Sequence, residues 1–332
     1  MKVLEYNNCT VTYLNQTKLP LEEEFITTDN YEALAQAIEK LEIRGAPLIG
    51  IAAAYGIVLG IKQLGINSFD VIYNRLASTR PTAVNLFWAL NEMKAVYENY
   101  YQRDDLFNKL EEKAIEIHNQ DRQMCFEIAQ NGLSIFQKKS RVLTHCNAGE
   151  LATGGIGTAL GVIKKAFENN LIELVYVDET RPLLQGSRLT TFELEKYGIP
   201  FKVICDNMAA SLMKNNEIDL IITGADRIAI NGDAANKIGT YSVAVLAKYH
   251  NIPFYMAAPS SSIDKNITSG DQIIIEMRKS EEILKIKTVD ITKNTYEVYN
   301  PSFDVTPSNL IAGIITEKKV FNYPYNFNEK NC

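Results

Sequence analysis

Four short apolar runs in the second half of the chain each end in residues that can do chemistry. RVLTHC ends at Cys146-Asn147, ELVYVDE at Asp178-Glu179, FKVICD at Asp206-Asn207 and LIITGAD at Asp226-Arg227. A thiol, several carboxylates and amides are the groups that acid–base work on a small polar substrate requires. If the runs are strands of an open α/β sheet, their carboxyl ends form the crevice where ligands bind. Any single Asp here is equally well explained as a cap for the helix that follows. Four such ends in series point instead to one shared rim.

The nature of that chemistry is narrowed by what is missing. The glycines of NAGELATGGIGTALG (Gly149, Gly154, Gly155, Gly157, Gly161) do not form a dinucleotide fingerprint, because the third glycine would fall on Leu160. No GxxxxGK[ST] loop and no GxSxG elbow occurs. The glycine stretch reads as a turn and helix start whose backbone amides face an anion. Cys146 follows His145, but neighbours on a strand point to opposite faces, so the two do not make a Cys–His pair. Near a glycine-rich helix start the Cys146 thiol would be acidified; the plain alternative is a small packing cysteine. Cations stand at other expected helix starts: Arg44 in Arg44-Gly45-Ala46-Pro47, Arg80 in Arg80-Pro81-Thr82, and Lys237, read as opening the helix after the Asp226 strand. Arginine beside free helix amides suits a phosphate.

These residues need a frame. Short β-prone runs (RVLTHC, ELVYVDE, FKVICD, LIITGAD, PFYMAAP) alternate with helical patterns over Gly155–Glu168, Leu189–Tyr197, NMAASLMKN and Ile238–His250. Five strands and four helices in alternation predict a doubly wound parallel sheet, since parallel neighbours need crossover helices. Before residue 138 helix-period segments dominate: Tyr31–Glu42, the run after Pro47, Thr82–Tyr100 and Asp105–Gln137. Each of Pro47 and Pro81 suits a first helical position. Met1–Pro20 carries VLEY and CTVTYL, expected to pair as a small antiparallel sheet. The expected division is residues 1–125, helical with that small sheet, and residues 126–332, Rossmann-like α/β.

The chain has 332 residues, 46% hydrophobic and 22% charged, enough apolar residues for a large core. Its net charge of −6 excludes the uniform basic field of a nucleic-acid binder. The most apolar run, Ala46–Ile61, is broken by glycines and falls short of the ~20 residues of a membrane span, so it is expected to be a buried helix. Five scattered cysteines (Cys9, Cys125, Cys146, Cys205, Cys332) without a CxxC pair, and three unclustered histidines, predict reduced thiols and neither a disulfide framework nor a zinc site. With no secretory pattern at the N-terminus, a cytoplasmic protein is expected.

The strings RGAPLIGIAAAYG, RPTAVNLFWA, THCNAGELATGGIGTALG, DETRPLLQGSRLT, DNMAASLM, TGADRIAINGDAANKIGTY and NPSFDVTPSNLIAGIITEKKV closely resemble the methylthioribose-1-phosphate isomerases, from about residue 12 to 320. The same superfamily holds ribose-1,5-bisphosphate and 5-deoxyribose-1-phosphate isomerases and regulatory subunits of a translation-initiation exchange factor, so three further functions accompany the fold. The resemblance implies a catalytic thiol at Cys146, a catalytic carboxyl at Asp226, and substrate binding by Arg44, Gly45, Ala46, Arg80, Gln185, Asn236 and Lys237. It further implies a homodimer acting on a small sugar phosphate with no cofactor and no metal. Two positions depart from the pattern: Asn15, where Asp is common, and Glu150, where a small residue is usual. Glu150 bears on the sugar's 5-substituent rather than on the reaction.

Overall fold

A computed structural model describes residues 1–81 and 83–327; Thr82 and the last five residues, Cys332 among them, lie outside the described residues. The chain divides into two compact units: Met1–Phe126 with Glu150–Gly157, and Glu127–Gly149 with Thr158–Cys332.

In the first unit, β1 (Leu4–Asn7), β2 (Thr10–Leu14) and β3 (Phe25–Thr28) pair antiparallel in that order. Helix α1 (Tyr31–Glu39) starts where the Asn30 side chain accepts from the Glu32 and Ala33 amides, and it buries Leu34, Ala35, Ala37 and Ile38 on one stripe. Helix α2 (Ala46–Leu64) follows Gly45 with Pro47 in its first turn, and its residues from Leu48 to Ile61 are all buried. It is long and apolar enough to cross a membrane, but 78% of that apolar window is packed inside the protein, as a core helix requires. Helices α3 (Phe69–Ala77), α4 (Val84–Tyr100) and α5 (Leu106–Gly132) follow, and α5 is in the second unit from Glu127 onward.

In the second unit the order is β4 (Ser140–Thr144), α6 (Ala159–Glu168), β5 (Ile172–Asp178), α7 (Thr191–Lys196), β6 (Phe201–Ile204), α8 (Ala209–Lys214), β7 (Leu220–Thr223), β8 (Arg227–Ala229), β9 (Ala234–Lys237), α9 (Thr240–Tyr249), β10 (Phe254–Ala257), β11 (Ile263–Asp264), α10 (Glu281–Leu284), β12 (Lys285–Ile286), β13 (Val289–Asp290), β14 (Phe303–Thr306), β15 (Gly313–Ile315) and β16 (Val320–Asn322). The main sheet runs β16-β15-β10-β7-β4-β5-β6, parallel except for β16. This is the doubly wound arrangement, in which the first strand lies beside the fourth. Val142, Val175 and Ile222 pack into one apolar layer and Leu143, Tyr176 and Ile221 into the other, which is why these strands read as continuous apolar runs.

The α/β class is as expected, but the sheet is larger: β15 and β16 extend it, and a second sheet, β11-β8-β9-β14, is inserted after β7. The expected helices keep their places with shorter bounds, except the buried helix expected over Ala46–Ile61, which runs on to Leu64. That after the glycine stretch starts at Ala159 rather than Gly155, and α3 is an additional helix.

At the amino ends of β4 and β7 one carboxylate joins the strands. Asp219 accepts from the Arg141 amide (2.9 Å), Arg141 Nε (3.0 Å) and Lys138 Nζ (2.8 Å), and its own amide donates to the Arg141 carbonyl (2.9 Å). Burial alone would raise its pKa; the bonds from Lys138 and Arg141 outweigh that and hold it down at about 2. A carboxylate with a depressed pKa contributes stability above its ordinary pKa and loses it as pH falls to the depressed value. Asp219→Asn is therefore expected to lower the melting temperature near neutral pH, with the difference from the parent closing as pH falls from about 4 towards about 2. A difference that is constant across that range would contradict the role given to Asp219.

Candidate active site

Strand β4 stops at Thr144, two residues short of the thiol, so Cys146 is not a strand residue. It turns into the left-handed region (φ 65°) and is 8% exposed. Its amide donates to Thr180 Oγ1 (2.9 Å) and its carbonyl accepts from Thr190 Oγ1 (2.6 Å). Thr180 is itself left-handed (φ 64°), an unfavourable place for a β-branched residue. Asp206 holds it there, accepting from the Thr180 amide and the Arg181 amide at 2.7 Å each. The Thr180 hydroxyl also donates to the Asp178 carbonyl (3.0 Å). Strained backbone over-determined by its neighbours is characteristic of functional turns.

Asp226 lies in the bend between β7 and β8, its amide donating to the Ala235 carbonyl (2.9 Å). It is half-buried. Strands β4 and β7 are direct neighbours, with Leu143 opposite Ile221 and Thr144 Oγ1 donating to the Ile222 carbonyl (2.8 Å). The segments that follow them stay close: a Cβ at Gly224 would stand 2.8 Å from Ala148 Cβ. Thiol and carboxyl thus leave adjacent parallel strands at the topological switch point.

Asn236 and Lys237 end strand β9 and do not open a helix; α9 begins at Thr240. Pairing with β14, Lys237 opposite Phe303, draws these residues into the inserted sheet. Asn236 Nδ2 donates to Thr240 Oγ1 (2.9 Å); Lys237 Nζ donates to the Ser302 carbonyl (2.9 Å) and lies 4.8 Å from the centre of the Phe303 ring. Gln185 precedes a π-helical turn, Gly186–Thr190, and its Oε1 is buried with no hydrogen-bond partner among the described residues. In the first unit, Arg44, Gly45 (φ 94°) and Ala46 form the uncapped start of α2, and Arg80 accepts at its carbonyl from the Ala83 amide (3.0 Å) just ahead of α4. Uncapped helix starts leave amides for an anion.

The glycine stretch departs from expectation. The Gly154 amide donates to Asp121 Oδ2 (2.6 Å), Gly155 to Thr153 Oγ1 (3.3 Å), and Thr158 and Leu160 both to the Ala148 carbonyl (3.0 and 3.2 Å). Those amides are satisfied by the protein, with a buried carboxylate of its own taking the place an outside anion was expected to fill. Glu150 is buried and ion-paired with the Met1 amino group (2.6 Å). Asn15 is also buried, donating to Glu24 Oε2 (2.6 Å) and accepting from Thr17.

Sequence reasoning placed Asp178 and Asp206 on the rim but assigned them no task, and it set His145 aside. The structure joins all three, with donor atoms within 4.8 Å of one another. They do not offer a metal a free set of ligands. His145 Nδ1 lies 2.9 Å from Asp178 Oδ2 and Nε2 lies 2.9 Å from the Ile238 carbonyl, while both Asp206 oxygens hold backbone amides. Burial opposes charge on His145, but the Asp178 carboxylate and the nearby Asp206 charge outweigh it and hold the imidazole above its ordinary pKa. The one signal in sequence was the acidic residue ending each neighbouring strand.

Thr180 gives this geometry a direct test. Thr180→Val keeps the shape but leaves the buried Cys146 amide without an acceptor. It is expected to cost about 1–3 kcal/mol of stability, read from urea unfolding. An unchanged midpoint would show that the Cys146 turn does not depend on that hydroxyl.

Residues 42–322 match the Initiation factor 2 subunit family. A protein of Caldicellulosiruptor saccharolyticus named methylthioribose-1-phosphate isomerase is 51% identical, over 99% of this chain and 98% of that protein. One of the same name from Thermotoga maritima is 49% identical, over 99% and 97%. The crystal structure of 5-methylthioribose 1-phosphate isomerase from Pyrococcus horikoshii OT3 superposes with a TM-score of 0.92 at 41% identity, covering 97% of this chain and 93% of that one. A structure described as translation initiation factor eIF-2B, subunit delta, from A. fulgidus matches with a TM-score of 0.84 at 38% identity, covering 97% and 96%. The chain therefore belongs to the Initiation factor 2 subunit family and, within it, to the methylthioribose-1-phosphate isomerases.

Proposed function

We propose that this protein converts 5-methylthioribose 1-phosphate to 5-methylthioribulose 1-phosphate, an aldose–ketose isomerisation of methionine salvage, with Cys146 and Asp226 as its catalytic residues. The observation that carries the reading is their position after β4 and β7, adjacent parallel strands at the switch point of the sheet. The C1 phosphate blocks the anomeric hydroxyl, so the ring cannot open to a free aldehyde. Asp226, as the carboxylic acid, protonates the ring oxygen as the ring opens with phosphate still on C1. Hydrogen then passes from C2 to C1 with the Cys146 thiol in attendance; the proton given to the ring oxygen remains on the new C4 hydroxyl, and the C2 hydroxyl, as it becomes the ketone, returns a proton to the Asp226 carboxylate. Atoms and electrons balance within the substrate, so the reaction calls for no cofactor and no external oxidant.

Arg44, Arg80 and Lys237 are assigned to the phosphate as cations, with the Gly45 and Ala46 amides; Gln185 and Asn236 are assigned to the sugar hydroxyls. The Gln185 oxygen, buried and without a partner among the described residues, suits a hydroxyl donor. The net charge of −6 favours no nucleic-acid partner. The scattered cysteines without a CxxC pair and the packed helix α2 support a reduced, cytoplasmic setting. We assign the first unit as a helical domain with a small sheet and the second as the Rossmann-like catalytic domain. The name of the A. fulgidus structure favours a second reading, a non-catalytic translation-factor subunit. Turnover decides between them.

Cys146→Ser and Asp226→Asn are each expected to cut kcat for ketose formation by at least about 100-fold while the melting temperature changes little. A destabilised but active Cys146→Ser would reduce the thiol to a packing residue, and a parent protein without turnover on this sugar, 5-deoxyribose 1-phosphate or ribose 1,5-bisphosphate would favour the regulatory reading.

We also propose a homodimer. Helix α9 exposes Tyr241, Val245 and Tyr249 at successive four-residue steps, an apolar stripe suited to a second copy. Sedimentation at low micromolar concentration is expected to give the dimer; the 37.3 kDa species alone would contradict it.

A further inference from the structure

His145 precedes the proposed thiol but takes no part in the chemistry above. It is 1% exposed and its partner Asp178 is wholly buried. A carbonyl oxygen only accepts, so the Nε2 that lies 2.9 Å from the Ile238 carbonyl must carry hydrogen. One further proton sits between Nδ1 and Asp178 Oδ2. The ring is thus a strut with one end on β5 and the other on the backbone that joins Lys237 to α9. Its fit needs a glycine: a Cβ at Gly239, where φ is 105°, would stand 2.8 Å from ring Cε1 and 2.9 Å from Nε2. The same turn is gripped elsewhere by Asp304, which accepts from the Gly239 and Tyr241 amides (2.8 and 3.0 Å), and by the Ile238 amide donating to the Ser302 carbonyl (3.1 Å). Asp178 on β5, Asp206 after β6 and Asp304 on β14 supply the charges that bear on the ring and favour its retaining a proton.

We propose that His145 is a positioning residue: through the Ile238 carbonyl it fixes where Lys237 stands relative to the Cys146 turn, and so sets the grip on the substrate's phosphate. The proposal rests on the assignment of Lys237 to substrate binding. Removing the strut at one end should therefore weaken substrate binding through Lys237, and removing its charge alone should not.

Two substitutions separate the ends. His145→Asn keeps an amide donor where Nδ1 stood, so Asp178 Oδ2 keeps its partner, but it deletes the Nε2 donor. Asp178→Asn lets the neutral ring keep Nε2–H on Ile238 while Nδ1 accepts from the new amide. With 5-methylthioribose 1-phosphate as substrate, His145→Asn is expected to raise KM about tenfold or more, the effect of losing one buried hydrogen bond, while Asp178→Asn stays within about threefold. In a Lys237→Ala background His145→Asn should add no further rise, because both act through one group. An unchanged KM in folded His145→Asn, or effects that multiply with Lys237→Ala, would overturn the proposal. If His145→Asn does not fold, His145→Gln, whose longer amide reaches the Nε2 position, should hold KM within about threefold, and a tenfold rise there would overturn it equally. If Lys237→Ala itself leaves KM unchanged, the substrate-site assignment falls and this proposal with it; if Lys237→Ala raises KM and His145→Asn does not, only the positioning role falls.

Discussion

The pairing of β4 with β7 is the constraint on which the functional reading depends. Parallel neighbours need crossover connections, and these are almost always right-handed. From β4 the chain builds outward through β5 and β6; it then returns to place β7 against the other edge of β4 and builds through β10 and β15. The helices that follow these two strands, α6 and α9, pack on opposite faces of the sheet, and the rim between β4 and β7 is where a ligand crevice is expected. Cys146 and Asp226 are what the sequence places on the segments leaving those two strands. Asp219 pins the same strands at their amino ends, so their register is set far from the chemistry.

Around the thiol, local strain is offset by a dense set of hydrogen bonds. Cys146 and Thr180 both hold left-handed backbone, and neither is a glycine. Thr180, Thr190 and Asp206 satisfy the polar groups that this conformation exposes. The His145–Asp178 pair extends the network to the turn after β9, so one buried cluster reaches three of the strand ends that carry polar residues. The cluster looks like a set of metal ligands by residue type alone. By hydrogen-bond inventory it is a fixed scaffold for the turn.

Much of this was legible in the sequence. Strands β4, β5 and β7 announce themselves as apolar β-branched runs because both of their faces are covered, and α2 does so by a long apolar run without a charged residue before Lys62. The rim residues followed from where those runs stop. Strands β8 and β9 were not legible: Arg227–Ala229 and Ala234–Lys237 are short, lack alternation, and owe their form to pairing with each other and with later strands, β8 with β11 and β9 with β14, Lys237 opposite Phe303. That is why Lys237 read as a helix start. The amides of the glycine stretch read as an anion site because nothing local shows that Asp121, on α5, already occupies the Gly154 amide. The opposite-faces rule was applied to His145 and Cys146, which both lie past the end of β4, and it could not show that His145 turns to Asp178, a partner set by sheet order.

The most direct measurement is a crystal structure with the ketose 1-phosphate product bound. The C1–C2 bond of the sugar is expected beside both Cys146 Sγ and the Asp226 carboxyl, each within reach for proton transfer. A sugar phosphate bound with neither side chain in reach of those carbons or of the C4 oxygen would contradict the switch-point assignment.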